Sequence, residues 1–227
     1  MVTLIPALLE EVMATVSPSE CILCNYPDPK LFSETGDRRY FNCDCCDLVF
    51  LDPNQRPSTE QERAEYAFHN NDPDDPRYRQ HLAKLTKPLI EGLCQETTGL
   101  DFGCGPGPAI STMMEEQGYS VQNYDPYFVQ DEGLLRTKYD FIFSTEAAEH
   151  FYDPSATFGL LASMLKPGGR LGVMTQFRPK DGAFRDWYYI KQPSHVAFYN
   201  EQSLSWLAQF HGWTIREMNN PIVIFEN

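Results

Sequence analysis

Positive charge is scarce in this chain. Lysine and arginine number 18 against 32 aspartates and glutamates, giving a net charge of −14 with histidine neutral. Phosphate neutralisation needs clustered Lys and Arg, so this balance argues against a nucleic-acid partner. Long apolar runs are also missing. The N-terminal stretch is apolar, but no cationic segment leads it and it ends at Glu10 and Glu11. Neither a signal peptide nor a membrane-spanning helix is expected, and a cytoplasmic location follows. In that compartment the seven cysteines are expected as thiols or metal ligands rather than disulfides. There is no internal repeat. What is present is an apolar fraction of 42% over 227 residues, enough for one α/β domain with a small appendage. Aromatics reach 13% and fall mostly outside the glycine motif described below; a ring-bearing substrate and core packing both account for them.

The chain divides into three stretches. Residues 1–55 hold a short amphipathic helix over 4–14 and a loop-rich, cysteine-bearing unit over 20–52 with little core of its own. Residues 56–95 read as a helical connector, broken where Asn70-Asn71-Asp72-Pro73-Asp74-Asp75-Pro76 is too rich in Asn, Asp and Pro for a helix interior. Pro88 is a further expected kink or break. Residues 96–227 alternate strand and helix. Strands are expected at Thr97–Phe102, Ser120–Tyr124, Tyr139–Ser144, Arg170–Thr175, Thr214–Met218 and Ile222–Phe225. Helices are expected at Ala109–Gln117, at about 155–165 after the Asp153-Pro154 start, and after Asn200 up to Gly212. Such alternation predicts a parallel sheet with helices on both faces, a Rossmann-like α/β fold.

Asp101-Phe102-Gly103-Cys104-Gly105-Pro106-Gly107 joins a strand to a helix. Glycines there let the backbone turn tightly and pass close to a ligand. The spacing is G-x-G-x-G, not the dinucleotide G-x-G-x-x-G, so no pyrophosphate cradle is implied. Asp125, at the end of the next strand, is placed to accept ribose hydroxyls. With these residues in view, Leu100–Gly107 resembles motif I of class I S-adenosylmethionine-dependent methyltransferases. Asp125 resembles their acidic residue after strand two. Tyr139–Ser144 is similar to their strand-four motif, and Leu165-Lys166-Pro167-Gly168-Gly169-Arg170-Leu171 to the turn before strand five. The resemblance covers residues 97–227 and is nearest to ubiquinone-biosynthesis-type O-methyltransferases. It implies a seven-stranded sheet ending in a β-hairpin, and S-adenosylmethionine as cofactor. The residues then expected around it are Asp101, Gly103, Cys104, Gly105, Gly107, Asp125, Pro126 and Thr145. One departure stands out: only 13 residues lie between Asp125 and Tyr139, so the family's third strand and its helix must be shortened. Adenine contacts are then left to Tyr127 and Phe128 or to the 66–78 segment.

Cys21-x-x-Cys24 and Cys43-x-x-Cys46, 18 residues apart, have the spacing of a structural zinc site, a zinc-ribbon-like unit. Cys45 has no assigned partner, and Cys94 and Cys104 read as core or loop thiols.

Glu146-Ala147-Ala148-Glu149-His150 follows the strand at 139–144. On a helix start, Glu146 would lie one turn from Glu149 and His150, all three facing one cavity. His195, after the strand at 170–175, falls on the same edge of the sheet. Two carboxylates and imidazoles so close need compensation, which a divalent cation supplies. The pattern resembles the magnesium site of small-RNA 3′-end 2′-O-methyltransferases, which would make Glu146, Glu149, His150 and His195 ligands of Mg, Mn, Fe, Ni or Zn. Two other readings stay open: His150 as a general base without metal, or a solvated helix face. Tyr66, His69, Asp74, Asp75 and Tyr78 are candidates to close over the cofactor. Phe177, Trp187, Tyr188 and Tyr189 are candidates to wall a substrate pocket.

The expectation is an enzyme that O-methylates a small molecule, with the four residues of the acidic-histidine cluster as its catalytic group. Two alternatives differ in kind. One is an RNA methyltransferase reading RNA with its zinc unit, which the acidic balance opposes. The other is a non-catalytic cofactor-binding interaction protein, which the intact Glu-Glu-His cluster opposes. The sequence leaves the oligomeric state open.

Overall fold

The computed structural model describes residues 17–66, 72–180 and 182–227. The helix expected over 4–14 and His69 lie outside them. The strands are β1 (Lys30–Thr35), β2 (Arg38–Asn42), β3 (Val49–Leu51), β4 (Thr98–Phe102), β5 (Ser120–Tyr124), β6 (Tyr139–Thr145), β7 (Leu165–Met174), β8 (Ala197–Phe198), β9 (Thr214–Asn219) and β10 (Ile222–Glu226). The helices are α1 (Thr59–Tyr66), α2 (Pro76–Ile90), α3 (Ala109–Glu115), α4 (Pro154–Met164) and α5 (Glu201–His211).

Six strands form one sheet in the order β5-β4-β6-β7-β10-β9. The first four are parallel, and β10 runs antiparallel to both β7 and β9. This is the Rossmann-like α/β sheet expected, with the closing hairpin in place. The implied seven strands are not found: among the described residues, 125–138 carry an isolated bridge between Asp125 and Val129 and a turn of 3₁₀ helix at Leu134–Arg136. Thirteen residues are too few for a crossover helix and a further strand. The sheet therefore stops at β5, and the chain returns to β6 directly.

Local chemistry accounts for the helices. Asp75 accepts from the Arg77 amide, and Pro76 opens α2. Leu82, Leu85 and Leu89, at three- and four-residue spacing, are buried on its inner face. Pro88 does not break α2, which continues to Ile90; so near the end, few amide bonds remain to be lost. Asp153 caps α4 through the Ala156 amide, and Asn200 with Ser203 forms a capping box on α5. The Lys166-Pro167-Gly168-Gly169 stretch is not a loop between helix and strand. It already belongs to β7, where the pairing register with β6 shifts.

The cysteine-bearing stretch is more ordered than its loop-rich composition predicts. β1, β2 and β3 form an antiparallel sheet that β8 completes, in the order β1-β2-β3-β8. Tyr40, Val49 and Leu51 pack with Phe184, Tyr189, Ile190, Val196 and Phe198 in one buried cluster. The core missing from residues 20–52 is thus supplied by the segment after β7. Cys21, Cys43 and Cys46 join the same core as β6, α4 and β7.

Candidate functional site

The glycine loop leaves β4 where a parallel sheet exposes the carboxyl ends of its strands, the place where open α/β sheets bind ligands. Gly103 and Gly105 both hold left-handed backbone, at φ 81° and 65°, which side-chain-bearing residues adopt only at a cost. A Cβ on Gly103 would also meet the Ala147 Cβ at 2.8 Å. Asp125 orders the loop: its carboxylate accepts from the amides of Gly105 at 3.0 Å, Tyr127 at 2.8 Å and Phe128 at 3.1 Å. Asp101, fully buried, presents an Oδ1 without a partner. Burial, and then the neighbouring Asp125, pushes its carboxyl up to about 7.

A cavity of about 740 Å³ runs from this loop across the ends of β4, β5 and β6. All eight residues expected around a cofactor line it: Asp101, Gly103, Cys104, Gly105, Gly107, Asp125, Pro126 and Thr145. Tyr66, Tyr78, Tyr127 and Phe128 line it too, as do Tyr188 and Tyr189. Asp75 is occupied as a helix cap. Trp187 belongs to the small-sheet core, and Phe177 packs on the main core.

At the far end stand Glu146, Glu149, His150 and His195. The structure brings three of them together: ligand atoms of Glu149, His150 and His195 lie within 4.8 Å of one another. Glu146 is outside this trio, and the helix-start geometry expected for it is not found. It sits in left-handed backbone at φ 48°, ahead of a 3₁₀ turn over Ala148–His150. Its carboxylate faces the His81 Nε2 at 3.2 Å and lies 3.3 Å from the Tyr189 hydroxyl oxygen. Glu149 is buried, accepts from the same hydroxyl through Oε1, and has an unpartnered Oε2. Burial, with the Glu146 charge behind it, pushes its carboxyl up to about 8.

Both histidines are held from behind. His150 Nδ1 donates to the Ser194 carbonyl at 3.0 Å, and His195 Nδ1 to the Tyr189 carbonyl at 2.8 Å. A carbonyl only accepts, so each ring carries a proton on Nδ1, and in its neutral form has its lone pair on Nε2. This is the arrangement in which histidines serve as metal ligands or as bases.

Sequence reading missed Glu62. It belongs to a helix, Thr-Glu-Gln-Glu-Arg-Ala-Glu-Tyr, that reads as solvated on every face. Yet Glu62 is buried, lines the cavity, and accepts from Tyr66 at 2.9 Å and Tyr127 at 2.6 Å. Its burial depends on Tyr127, 65 residues away, so no local pattern could have marked it.

The four cysteines Cys21, Cys24, Cys43 and Cys46 converge on one point, within 4.8 Å of one another. Cys21 and Cys46 sulfurs are 3.6 Å apart, and Cys24 and Cys43 sulfurs 3.4 Å. A tetrahedral zinc with bonds of 2.3 Å would set them about 3.8 Å apart. The two Cys-x-x-Cys turns match each other. Asn25 and Asp47, each directly after the second cysteine, hold φ 56° and 58° and donate to the carbonyls of Cys21 and Cys43, both at 2.9 Å. Burial pushes the Cys24 and Cys43 thiols up, while the hydrogen bond from Cys46 pushes Cys21 down to about 6. All seven cysteines are free of disulfides.

A family model described as a methyltransferase domain matches residues 76–218, well over half the chain. The chain belongs to the methyltransferase domain family. The expectation of an enzyme, and of a methyltransferase in particular, agrees with this membership. The methyltransferase sheet is shared with 1,6-didemethyltoxoflavin-N1-methyltransferase of Burkholderia thailandensis, solved with 1,6-didemethyltoxoflavin and S-adenosylhomocysteine. The TM-score is 0.56 at 13% identity, covering 87% of this chain and 99% of that one. It is also shared with magnesium protoporphyrin IX methyltransferase of Synechocystis PCC 6803, solved with S-adenosylhomocysteine. There the TM-score is 0.50 at 18% identity, covering 74% and 94%. At such identities the likeness is one of fold. No curated protein matches the chain by sequence. No helix among the described residues is long and apolar enough to cross a membrane.

Proposed function

We propose that this methyltransferase moves a methyl group from S-adenosylmethionine to an oxygen of a neutral or cationic small molecule, with Glu149, His150 and His195 as its acceptor-side centre. The observation that carries this reading is the single cavity joining the glycine loop to that trio.

The cofactor end suits a cationic ligand. Asp101 offers a buried, unpartnered carboxylate oxygen, and Gly103 and Gly105 hold left-handed backbone that disfavours side chains in the loop. S-adenosylmethionine supplies the activated methyl and two cationic groups for those acceptors. Asp125, already ordering the loop, keeps lone pairs for ribose hydroxyls. The two fold neighbours named above were both solved with S-adenosylhomocysteine, which supports the same cofactor.

The cavity lining contains six acidic side chains, Glu62, Asp101, Asp125, Glu146, Glu149 and Asp153, of which Asp101 and Glu149 are pushed toward their neutral forms, and neither lysine nor arginine. The stretches outside the described residues, 1–16, 67–71 and 181, contain no lysine or arginine either. A phosphate-bearing acceptor such as an RNA end would enter this field at a large electrostatic cost. The RNA reading is therefore the weaker one.

Glu149 Oε2 and the Nε2 atoms of His150 and His195 would hold a divalent cation, and the mixed oxygen and nitrogen set fits one. Such a cation supplies positive charge that lowers the acceptor hydroxyl's pKa. The residues themselves orient the acceptor beside the cofactor; in the alternative without a metal, the His150 Nε2 lone pair takes its proton instead. Glu146 serves the same site from outside the trio, through Tyr189 and His81. The motif likeness to ubiquinone-type enzymes supports oxygen as the atom methylated.

Cys21, Cys24, Cys43 and Cys46 are proposed to hold a structural zinc, because four sulfur donors at these separations leave no open position for substrate. Residues 1–55 would then be a zinc unit, 56–95 a connector that covers the cavity with α1, and 96–227 the catalytic domain, in a cytoplasmic protein.

The test is calorimetry with S-adenosylhomocysteine, followed by S-adenosylhomocysteine release on hydroxylated acceptors. Folded protein giving no heat with the cofactor product would refute the cofactor. Transfer that survives Glu149→Ala would refute the acceptor centre.

A further inference from the structure

We propose that Arg38 is a positioning residue that fixes His150 and His195 in their working orientation; this rests on reading those two rings as the acceptor-side centre. Arg38 opens β2, in the small cysteine-bearing sheet, more than a hundred residues before either histidine. Its guanidinium reaches across to the segment 190–195. Nη1 donates to the carbonyls of Ile190 at 2.8 Å and Gln192 at 3.4 Å. Nη2 donates to those of Pro193 at 3.0 Å and His195 at 3.5 Å. One rigid planar cation thus holds four main-chain carbonyls of a six-residue segment.

The same segment governs the rings. The Tyr189 carbonyl, immediately before Ile190, accepts from His195 Nδ1, and the Ser194 carbonyl, between Pro193 and His195, accepts from His150 Nδ1. Each of these two carbonyls therefore lies directly beside residues that Arg38 grips. Beyond His195, the chain is fixed by the Val196 amide to the Glu149 carbonyl and by the Leu51 amide to the Val196 carbonyl, at 2.8 and 2.9 Å. Before it, Tyr189 and Ile190 pack against Tyr40, Val49 and Leu51, and Arg38 holds the carbonyls between Ile190 and His195 to the small sheet. The guanidinium is itself steadied by the Tyr40 ring, its carbon 5.6 Å from the ring centroid.

Two carbonyls that share one clamp move together when the clamp is lost. Each imidazole then has no fixed acceptor behind Nδ1, and the proton is free to take either nitrogen. A ring with its proton on Nε2 can neither ligate a metal nor accept a proton through that atom. Arg38 touches neither cofactor nor acceptor, so its influence acts through tautomer and orientation. Partners of this kind behind metal-binding histidines cost about 10–100-fold in metal affinity or activity when removed.

Long-range ¹H–¹⁵N spectra of the full chain with labelled histidines read which ring nitrogen carries the proton; His150→Gln and His195→Gln spectra assign the signals. In the wild type both neutral rings should be Nδ1-protonated. In Arg38→Met both should become tautomer mixtures, with Mn²⁺ affinity, read by its EPR signal, falling about 10–100-fold and S-adenosylhomocysteine affinity unchanged. Arg38→Lys, whose ammonium reaches fewer of the four carbonyls, should fall between. Guanidinium ion added to Arg38→Ala should restore the wild-type pattern, since a solvent-connected cavity of about 640 Å³ adjoins Arg38. Arg38→Met with both rings still Nδ1-protonated would overturn the proposal. If that variant does not fold, an Arg38→Lys protein identical to wild type in both readouts overturns it instead. Wild-type rings protonated on Nε2 would overturn the reading of the centre itself, whatever Arg38 does.

Discussion

Replacing Asp101 by asparagine should make the ligand-free protein more stable and its cofactor binding weaker, with the stability gain appearing only as pH rises. Burial and Asp125 lift the Asp101 carboxyl from 3.8 to about 7. At 1.36 kcal/mol per pKa unit, that shift corresponds to about 4 kcal/mol. The sign follows from linkage. A carboxyl with a raised folded-state pKa binds its proton more tightly in the folded protein, so stability falls as pH climbs from about 4 to about 7 and is level above that. Below pH 4 both states are protonated and the penalty vanishes. Asparagine removes the charge but leaves a buried amide, which costs about 1–3 kcal/mol where its hydrogen bonds are unmade. The net gain at pH 8 should then be about 1–3 kcal/mol, a rise of roughly 2–12 °C in melting temperature for a chain of this size. S-adenosylmethionine affinity should drop by about 10–100-fold, the worth of one hydrogen bond to a charged group. Urea unfolding of both proteins at pH 5 and pH 8, without ligand, measures the first effect, and calorimetry the second. A stability difference that does not change between the two pH values would refute the buried-charge argument. Unaltered affinity would remove Asp101 from the cofactor site.

Gly105→Val should fold yet give no calorimetric heat with S-adenosylhomocysteine, because valine must either leave φ 65° or fill the ligand's space. Protein purified without chelator should carry about one equivalent of zinc by elemental analysis. Cys43→Ser should lose that zinc and melt at a lower temperature; a zinc-free wild type would refute the site. Glu149→Ala should abolish methyl transfer while S-adenosylmethionine affinity stays within about twofold, since loss of a group acting only on the acceptor leaves cofactor binding alone; a matching loss of affinity would move Glu149 into the cofactor site.

What could be read from sequence was whatever local chemistry writes into neighbouring residues. The glycine loop, Asp125, the strand runs and the capped helices each carry their signal within a few positions and are found in the structure, although β7 starts at Leu165, five residues before the expected Arg170. The two Cys-x-x-Cys pairs were legible because ligand spacing is itself a constraint. Four features escaped. Glu146 was given a helical neighbour relation to Glu149, but its left-handed backbone breaks that spacing, and nothing in Thr-Glu-Ala-Ala announces it. Glu62 and Arg38 were unreadable because their partners lie 65 and more than 150 residues away. The small sheet was taken for loops because its strands are short and its core is lent by aromatics beyond residue 183.

The pairing of β3 with β8 also bears on how the chain is made. Residues 49–50 emerge from the ribosome long before their partners at 197–198, so the N-terminal sheet must wait with one edge open until most of the protein exists. Pairings so distant in sequence form slowly, and unpaired edges attract other chains. Ligating the four cysteines, all present by residue 46, would close the first turns of that sheet early. On this view the N-terminal cysteines guard the nascent chain during its longest exposed interval. Separate expression of residues 1–55 or 96–227 would leave each fragment without the strand that the other supplies.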